Sequence, residues 1–423
     1  MTPTQIYNTS YYRSINEVSS YKAGRISVII PTYNYGQFLN ATLKSVFDQI
    51  ATDVEVIVVD DGSCDTTFEI IQPFKSKICY IYQKNSGLSS ARNTGLMNCT
   101  GEFIKLLDAD DILGPQTLSF QLEFMRKNPD VSISVCKSKL FHKTDLHGNP
   151  RPSGYWSLFR EHLDTHLCFY NIAPPHAYFF RRQVFLKTGW FDPELAACED
   201  YDYWLRSAVN GFIPRFNPSG FVYYRRHPNS MSSNLLNQYY YDAILHQRLS
   251  RILSQNPDFP IGQRLDGLLA FTAGALITAV RLYSINAEKS AELLNLAEER
   301  IDESLLFSVK TKIPVGLSLL YYSMKCLSQM VFPSIRESPR FRRIRNKLHI
   351  LLCNLNAPKS ETRLLLSVFS LSLLNKNLSP SERWKVVCSA LSYLTNFVTN
   401  KDKLRKQTYS NKSVFNEQGK SIL

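Results

Sequence analysis

Residues 25–60 read RISVIIPTYNYGQFLNATLKSVFDQIATDVEVIVVD. The first nine residues are short, β-branched and apolar, and stop soon after Pro31, the pattern of a buried strand. Residues 36–49 place apolar side chains at 38, 39, 43, 46 and 47, a helical spacing. VEVIVVD (54–60) is a second strand. The alternation continues outward: DTTFEIIQPF (65–74) reads as a short helix, ICYIYQ (78–83) as a strand, LSSARNTGLMN (88–98) as a helix and EFIKLLD (102–108) as a strand. Strands alternating with helices imply a parallel sheet with right-handed crossovers. Uninterrupted apolar strands imply that both faces of that sheet are covered. From about residue 131 the order changes, and VSISVCKSKLF, AYFFRR and FVYYRRH are strand patterns with less helix between them. After Ser230 the strand patterns stop, and residues 236–423 keep a helical spacing, clearest in SAELLNLAEERIDESL (290–305).

The chain of 423 residues suggests two to three domains. The reading divides it into a flexible lead (1–24), an α/β domain (25–235), an all-α C-terminal domain (236–400) and a disordered basic tail (401–423). Its 44% apolar content is ample for a core. The nine cysteines are scattered without a C-x-x-C pair, which argues against a zinc site or disulfide framework and suits a reducing cytoplasm. The N-terminus has no hydrophobic signal region. GLLAFTAGALITAV (267–280) is uncharged but, at 14 residues, too short to span a bilayer, and reads as a buried helix. Charge is uneven: residues 1–234 hold 23 Lys and Arg against 22 Asp and Glu, whereas residues 235–423 hold 26 against 14. The front is nearly neutral and the back carries +12 of the total +13.

Ligands of a doubly wound sheet sit beyond the carboxyl ends of its strands. There the sequence places Pro31-Thr32-Tyr33-Asn34, then Asp60-Asp61-Gly62-Ser63, then Asp108-Ala109-Asp110-Asp111. Five carboxylates are thus expected to converge on one rim, an arrangement best tolerated around a divalent cation, Mn²⁺ or Mg²⁺. Such ions usually complete their shell with substrate phosphates. Neither G-x-x-x-x-G-K-[ST] nor, after the first strand, G-x-G-x-x-G is present, which disfavours P-loop and ordinary dinucleotide chemistry. Simpler readings stand beside this one. Asp-Gly is a turn signal, Asp200 could be a helix N-cap, His227 a packed strand-end histidine, and Arg181-Arg182 solvated strand-end charges.

Six stretches carry a resemblance: VIIPTYNYGQFL (28–39), VIVVDDGSCDTT (56–67), NSGLSSARNTGL (85–96), KLLDADDIL (105–113), CEDYDYWLR (198–206) and YYRRHPNSMS (223–232). In this order they resemble the inverting family 2 glycosyltransferases of the GT-A fold, over about 210 residues. The resemblance implies an α/β, GT-A (Rossmann-like, mostly parallel central sheet) catalytic domain ahead of the all-α C-terminal domain. It implies that Pro31, Thr32 and Tyr33 cradle the nucleobase, that Asp61 accepts a hydrogen bond from a uracil-type base, and that Arg92 lies near base and diphosphate. Asp108 and Asp110 match the D-x-D pair, with Asp110 the direct metal ligand and Asp108 facing ribose or donor sugar. Asp200 matches the catalytic base, with Glu199 beside the acceptor, and His227 a position near diphosphate or metal.

The implied enzyme is a hexosyltransferase acting with inversion on a nucleotide diphosphate sugar, UDP-sugar favoured, and a glycan or lipid-linked acceptor in cell-surface polysaccharide synthesis. Processive members carry Q-x-x-R-W and membrane helices. In this chain Arg383-Trp384 follows Pro380 at the Gln position, far downstream, so a single addition is expected. Residues 142–176 match no motif and leave the acceptor unread. The alternatives are a metal-dependent nucleotidyltransferase and a non-catalytic nucleotide-sugar-binding scaffold. No nucleic-acid motif is present. SIRESPRFRRIRNKLHILLCNL (334–355) sets six basic residues against Glu337 before an apolar run, a pattern suited to peripheral contact with an anionic membrane on its cytoplasmic face.

Overall fold

Seven consecutive buried residues, Ile26–Thr32, run down the middle of a twisted sheet and explain why the opening strand is apolar on both faces. The computed structural model describes residues 21–49, 53–144, 149–155, 171–228 and 230–255, with isolated positions up to 299. The chain falls into two compact units, residues 1–297 and 298–423, and the sheet with its helices lies in the first. The tail, the 334–355 stretch and Arg383-Trp384 lie outside the described residues, as does nearly all of 267–280.

The elements in chain order are β1 (Lys22–Thr32), α1 (Gly36–Phe47), β2 (Val54–Asp60), α2 (Thr67–Ile71), β3 (Cys79–Tyr82), α3 (Leu88–Asn98), β4 (Gly101–Leu106), β5 (Ile112–Leu113), α4 (Thr117–Lys127), β6 (Ile133–Thr144), β7 (Pro150–Tyr155), β8 (Tyr178–Arg181), α5 (Arg182–Thr188), α6 (Glu199–Val209), β9 (Arg215–Arg225) and α7 (Leu235–Gln255). β1 begins within the last residues of the expected flexible lead. Among the described residues the strands form one sheet ordered β3-β2-β1-β4-β8-β6-β9-β5, with β7 on β6.

The first half meets expectation. β1 pairs in parallel with β2 and β4, and β2 with β3. α3 packs on β1 and β2. It approaches closely: a Cβ at Gly95 would lie 2.3 Å from Ile29 Cγ2, so only glycine fits. The expectation of a mostly parallel sheet is corrected beyond β4. There β4–β8, β6–β8, β6–β7 and β5–β9 are antiparallel, and only β6–β9 is parallel. The cause is local: helical crossovers, which parallel neighbours require, become scarce after α4. The all-α region is described chiefly in α7, and residues 288–293 are also helical.

The parallel half sets strand ends level. Thr32 lies opposite Asp60, and Ile29 opposite Leu106. The chain leaves each strand at the same edge, where Asp61 N donates to Thr32 O at 2.9 Å and Leu107 N to Ile29 O at 3.0 Å.

Candidate functional site

That edge opens into a cleft of about 450 Å³, within the usual range for a small-molecule site. Pro31, Thr32, Tyr33, Asp61, Arg92, Asp108, Asp110, Glu199 and Asp200 all line it. They come from three strand ends and two helices, so the sequence brings to one place residues up to 169 positions apart, Pro31 to Asp200.

Asp60 and Asp61 divide two roles. Asp60 accepts from Ser63 N and Tyr80 Oη, both at 2.8 Å, and closes the Asp-Gly turn. Gly62, with φ +85°, supplies the left-handed step of that turn. Asp61 faces the cleft. Its Oδ1 accepts from Gln83 Nε2 at 2.7 Å and Ser86 N at 2.9 Å, and its Oδ2 from Gly87 N at 2.8 Å. One lone pair of Oδ2 stays available to a ligand N–H. Tyr33, 47% exposed, stands at the mouth as a flat apolar face.

The five expected rim carboxylates are not all at the rim. Asp60 is turned into its own loop. Asp111 is fully buried, with Oδ1 accepting from Arg225 N at 2.7 Å. Burial and the neighbouring Asp110 and Asp108 hold its carboxyl well above the usual carboxylate range. Packing explains the difference: Asp111 is drawn inward to accept from the backbone at the end of β9, and Asp60 to close its own turn. Arg225 Nε also donates to Asp110 O at 2.7 Å, and its guanidinium lies over Phe38 and Phe141. These ties deliver His227, two residues on, to Asp110: Nε2 sits 2.9 Å from Oδ2. The His227 ring packs edge-on to Tyr35 and against Phe38.

Two donor sets suit a divalent cation. Asp110 and His227 meet beside the cleft. Asp108, Asp111 and His176 bring one donor atom each within 4.8 Å of one another. His176 Nδ1 lies 2.8 Å from Asp111 Oδ2, but off the line a hydrogen bond needs, and both ring nitrogens and that oxygen are buried without a hydrogen-bond partner among the described residues. Burial pushes the His176 imidazole down to about 4, so it stays a neutral donor. Mixed carboxylate and imidazole ligands fit Mn²⁺ better than Mg²⁺.

Arg92, fully buried on α3, joins the two ends of the site. Nη2 bonds Asp108 Oδ1 at 2.8 Å and Nη1 bonds Glu199 Oε1 at 2.5 Å. Its charge therefore serves two carboxylates rather than standing open toward a diphosphate. Glu199 and Asp200 begin α6, whose positive end favours acids in the first turn. The N-cap position is Cys198, in a left-handed conformation, so Asp200 is not the cap. α6 is fixed by aromatic packing: Trp204 stacks on Tyr178 with centroids 3.8 Å apart, and Tyr203 on Phe191 at 4.1 Å. Burial first, then Glu199, push the Asp200 carboxyl up to about 7.

Arg181 and Arg182 are not solvated charges. Arg182 is buried and donates to Cys99 O at 3.0 Å, while Arg181 ties Val131 O, Met125 O and Glu102. Sequence reading did not single out Tyr35, Asn171, His176 or Gln238. Tyr35 stood inside a quoted motif; Asn171 and His176 lie in the motif-free 142–176, and Gln238 in α7.

Residues 27–188 match the protein family described as Glycosyl transferase family 2. An uncharacterized glycosyltransferase of Rickettsia typhi is 29% identical over 235 residues, 54% of this chain and 73% of that protein. Chondroitin synthase of Escherichia coli is 31% identical over 215 residues, 49% of this chain but only 30% of that one. The crystal structure of S. aureus TarS superposes with a TM-score of 0.50 at 19% identity, covering 78% of this chain and 54% of that one. The last likeness shows the GT-A fold.

Proposed function

We propose, from the premise that the chain belongs to glycosyltransferase family 2, that it transfers one sugar, with inversion, from a nucleotide diphosphate sugar to a hydroxyl of a glycan or lipid-linked acceptor. The carrying observation is that one cleft gathers Asp61, with a lone pair left for a ligand N–H, the acidic loop of Asp108 and Asp110, and Asp200, a buried carboxylate poised near neutrality.

Inversion is a single displacement. The bond from the anomeric carbon to the diphosphate breaks as the acceptor oxygen bonds to that carbon, and the acceptor proton passes to Asp200. A general base whose pKa lies near the working pH suits that transfer. Tyr33 stacks on the base, and the free lone pair of Asp61 Oδ2 receives an imide N–H, which favours a UDP-sugar. Asp110, with His227 beside it, would hold a divalent cation, which would supply positive charge to offset that of the departing diphosphate. Arg92 bridges Asp108 and Glu199 and holds both in place. The setting is the cytoplasmic side of a membrane, in polysaccharide or glycoconjugate synthesis, with the basic back half near an anionic lipid surface.

A donor screen with Mn²⁺ or Mg²⁺, scored by released nucleotide diphosphate, tests this. UDP-sugars should be turned over, and Asp110→Asn or EDTA should remove most activity while the fold survives. Full activity in EDTA would reject the metal, and calorimetry showing GDP bound much more tightly than UDP would reverse the nucleotide.

A further inference from the structure

The stretch that matched no motif contributes a residue to the reacting end of the cleft. Asn171 lines it, and Asn171 Nδ2 donates to Asp200 Oδ2 at 2.8 Å. The other oxygen, Oδ1, accepts from Tyr201 N at 2.8 Å. The carboxylate is thus held by one donor on each oxygen, which fixes its plane and leaves a lone pair on each for an incoming hydroxyl. The Asn171 Oδ1 is buried with no hydrogen-bond partner among the described residues, so the side chain is held by its bond to Asp200 and by the packing around it. Leu167, Ile172 and Ala173 around it are buried, and Tyr201 Oη donates to Leu167 O at 2.7 Å, so two successive residues of α6 are bonded to Asn171 and Leu167.

Building on the reading of Asp200 as the base, we infer that Asn171 is the positioning residue that orients the base and sustains its ionised form. The orientation is chemically required. Toward an ionised carboxylate, which only accepts, the Asn171 amide must present its N–H, and a donor bonded to the charged form favours that form. The groups facing Asp200 are few among the described residues: Glu199 and burial oppose its ionisation, while Arg92, Asn171 and the Tyr201 amide support it. Arg92 is shared with Asp108 and Glu199, which leaves Asn171, among the described residues, as the one side-chain donor bonded directly to the base. Without it, Asp200 keeps a single backbone donor and can turn.

The test is the pH profile of kcat/KM for Asn171→Ala and Asn171→Ser, with Asp200→Asn alongside, measured on the full chain as UDP released from the UDP-sugar that the wild type turns over fastest. UDP calorimetry on each variant reports whether the donor side is intact. A charge-assisted hydrogen bond lost from the ionised form should move the acid limb up by about one pH unit. At pH 6.5 activity should then fall several-fold to tenfold and recover at high pH, with UDP affinity unchanged and Asn171→Ser less affected than Asn171→Ala. A loss equal at every pH with the limb unmoved in both variants overturns the inference, and so does a loss of UDP affinity in both. Asp200→Asn separates the levels. If it retains wild-type turnover, the base assignment fails; if it is inactive while the Asn171 variants keep the wild-type limb, only the positioning role fails.

Discussion

At the scale of single residues, Asp200 carries opposed demands. Its carboxyl is buried beside Glu199, which is unfavourable, yet a base poised near neutrality is what proton abstraction needs. Asp200→Asn should lower turnover by orders of magnitude, of which proton transfer accounts for roughly 10²–10⁴-fold, with UDP affinity nearly unchanged by calorimetry. If donor affinity collapses equally, Asp200 is a binding residue. The same substitution should stabilise the fold, with a definite pH dependence. The folded value, about 7, lies above the ordinary value of 3.8, so the folded state holds a proton that the unfolded chain has already released between those pH values. The stability this gives is full below about pH 4 and is lost as pH rises toward 7. Asn cannot ionise, so Asp200→Asn should melt higher than wild type at pH 8, by on the order of 2–4 kcal/mol, and match it near pH 4. Equal melting differences at both pH values would show that burial does not oppose Asp200 in the way described.

At the scale of elements, the site is a junction of α3, the end of β4 and the start of α6, and Arg92 is, among the described residues, the only side chain bonded to both acids. Removing one partner of a buried ion pair leaves charge without compensation and typically costs 3–5 kcal/mol. Arg92→Met should therefore lose about that much in urea denaturation and weaken UDP binding, because Asp108 is no longer held. Arg92→Lys keeps the charge but has no fork, so it can serve one carboxylate well and should fall between Met and wild type. A wild-type denaturation midpoint for Arg92→Met would refute the junction.

The elements also divide what the sequence could disclose from what it could not. β2 was legible to its ends because a short β-branched apolar run marks a buried strand locally, and α3 because it fills the helix place between two strands of the alternating series. Asp61 and Asp110 were legible because strand ends of a parallel sheet share one edge. Arg181 and Arg182 read as solvated because charge pattern alone does not reveal carbonyls brought in from Val131 or Cys99. Asn171 was illegible for the same reason: its partner lies on another element, and nothing in the run around it repeats. The antiparallel half of the sheet also escaped a precise reading, since short strands without crossovers admit several pairings.

At the scale of the whole molecule, the charge is distributed so that the half bearing the cleft is nearly neutral while residues 235–423 carry +12. Among the described residues no helix is long and apolar enough to cross a membrane. Attraction to an anionic surface can come from basic side chains next to apolar ones. Residues 334–355 supply both in sequence: Arg336, Arg340, Arg342, Arg343, Arg345 and Lys347, then Leu348, Ile350, Leu351, Leu352 and Leu355. Each basic residue near an anionic surface contributes on the order of 1 kcal/mol, so six would suffice to localise the protein at such a surface. Liposome co-sedimentation is the measurement. Binding should require anionic lipid, weaken as salt screens the charges, and drop when Arg342, Arg343 and Arg345 are replaced by Ser, while donor turnover in solution stays unchanged. Equal sedimentation with neutral and anionic vesicles, or none with either, would assign the basic stretch to packing within the protein instead.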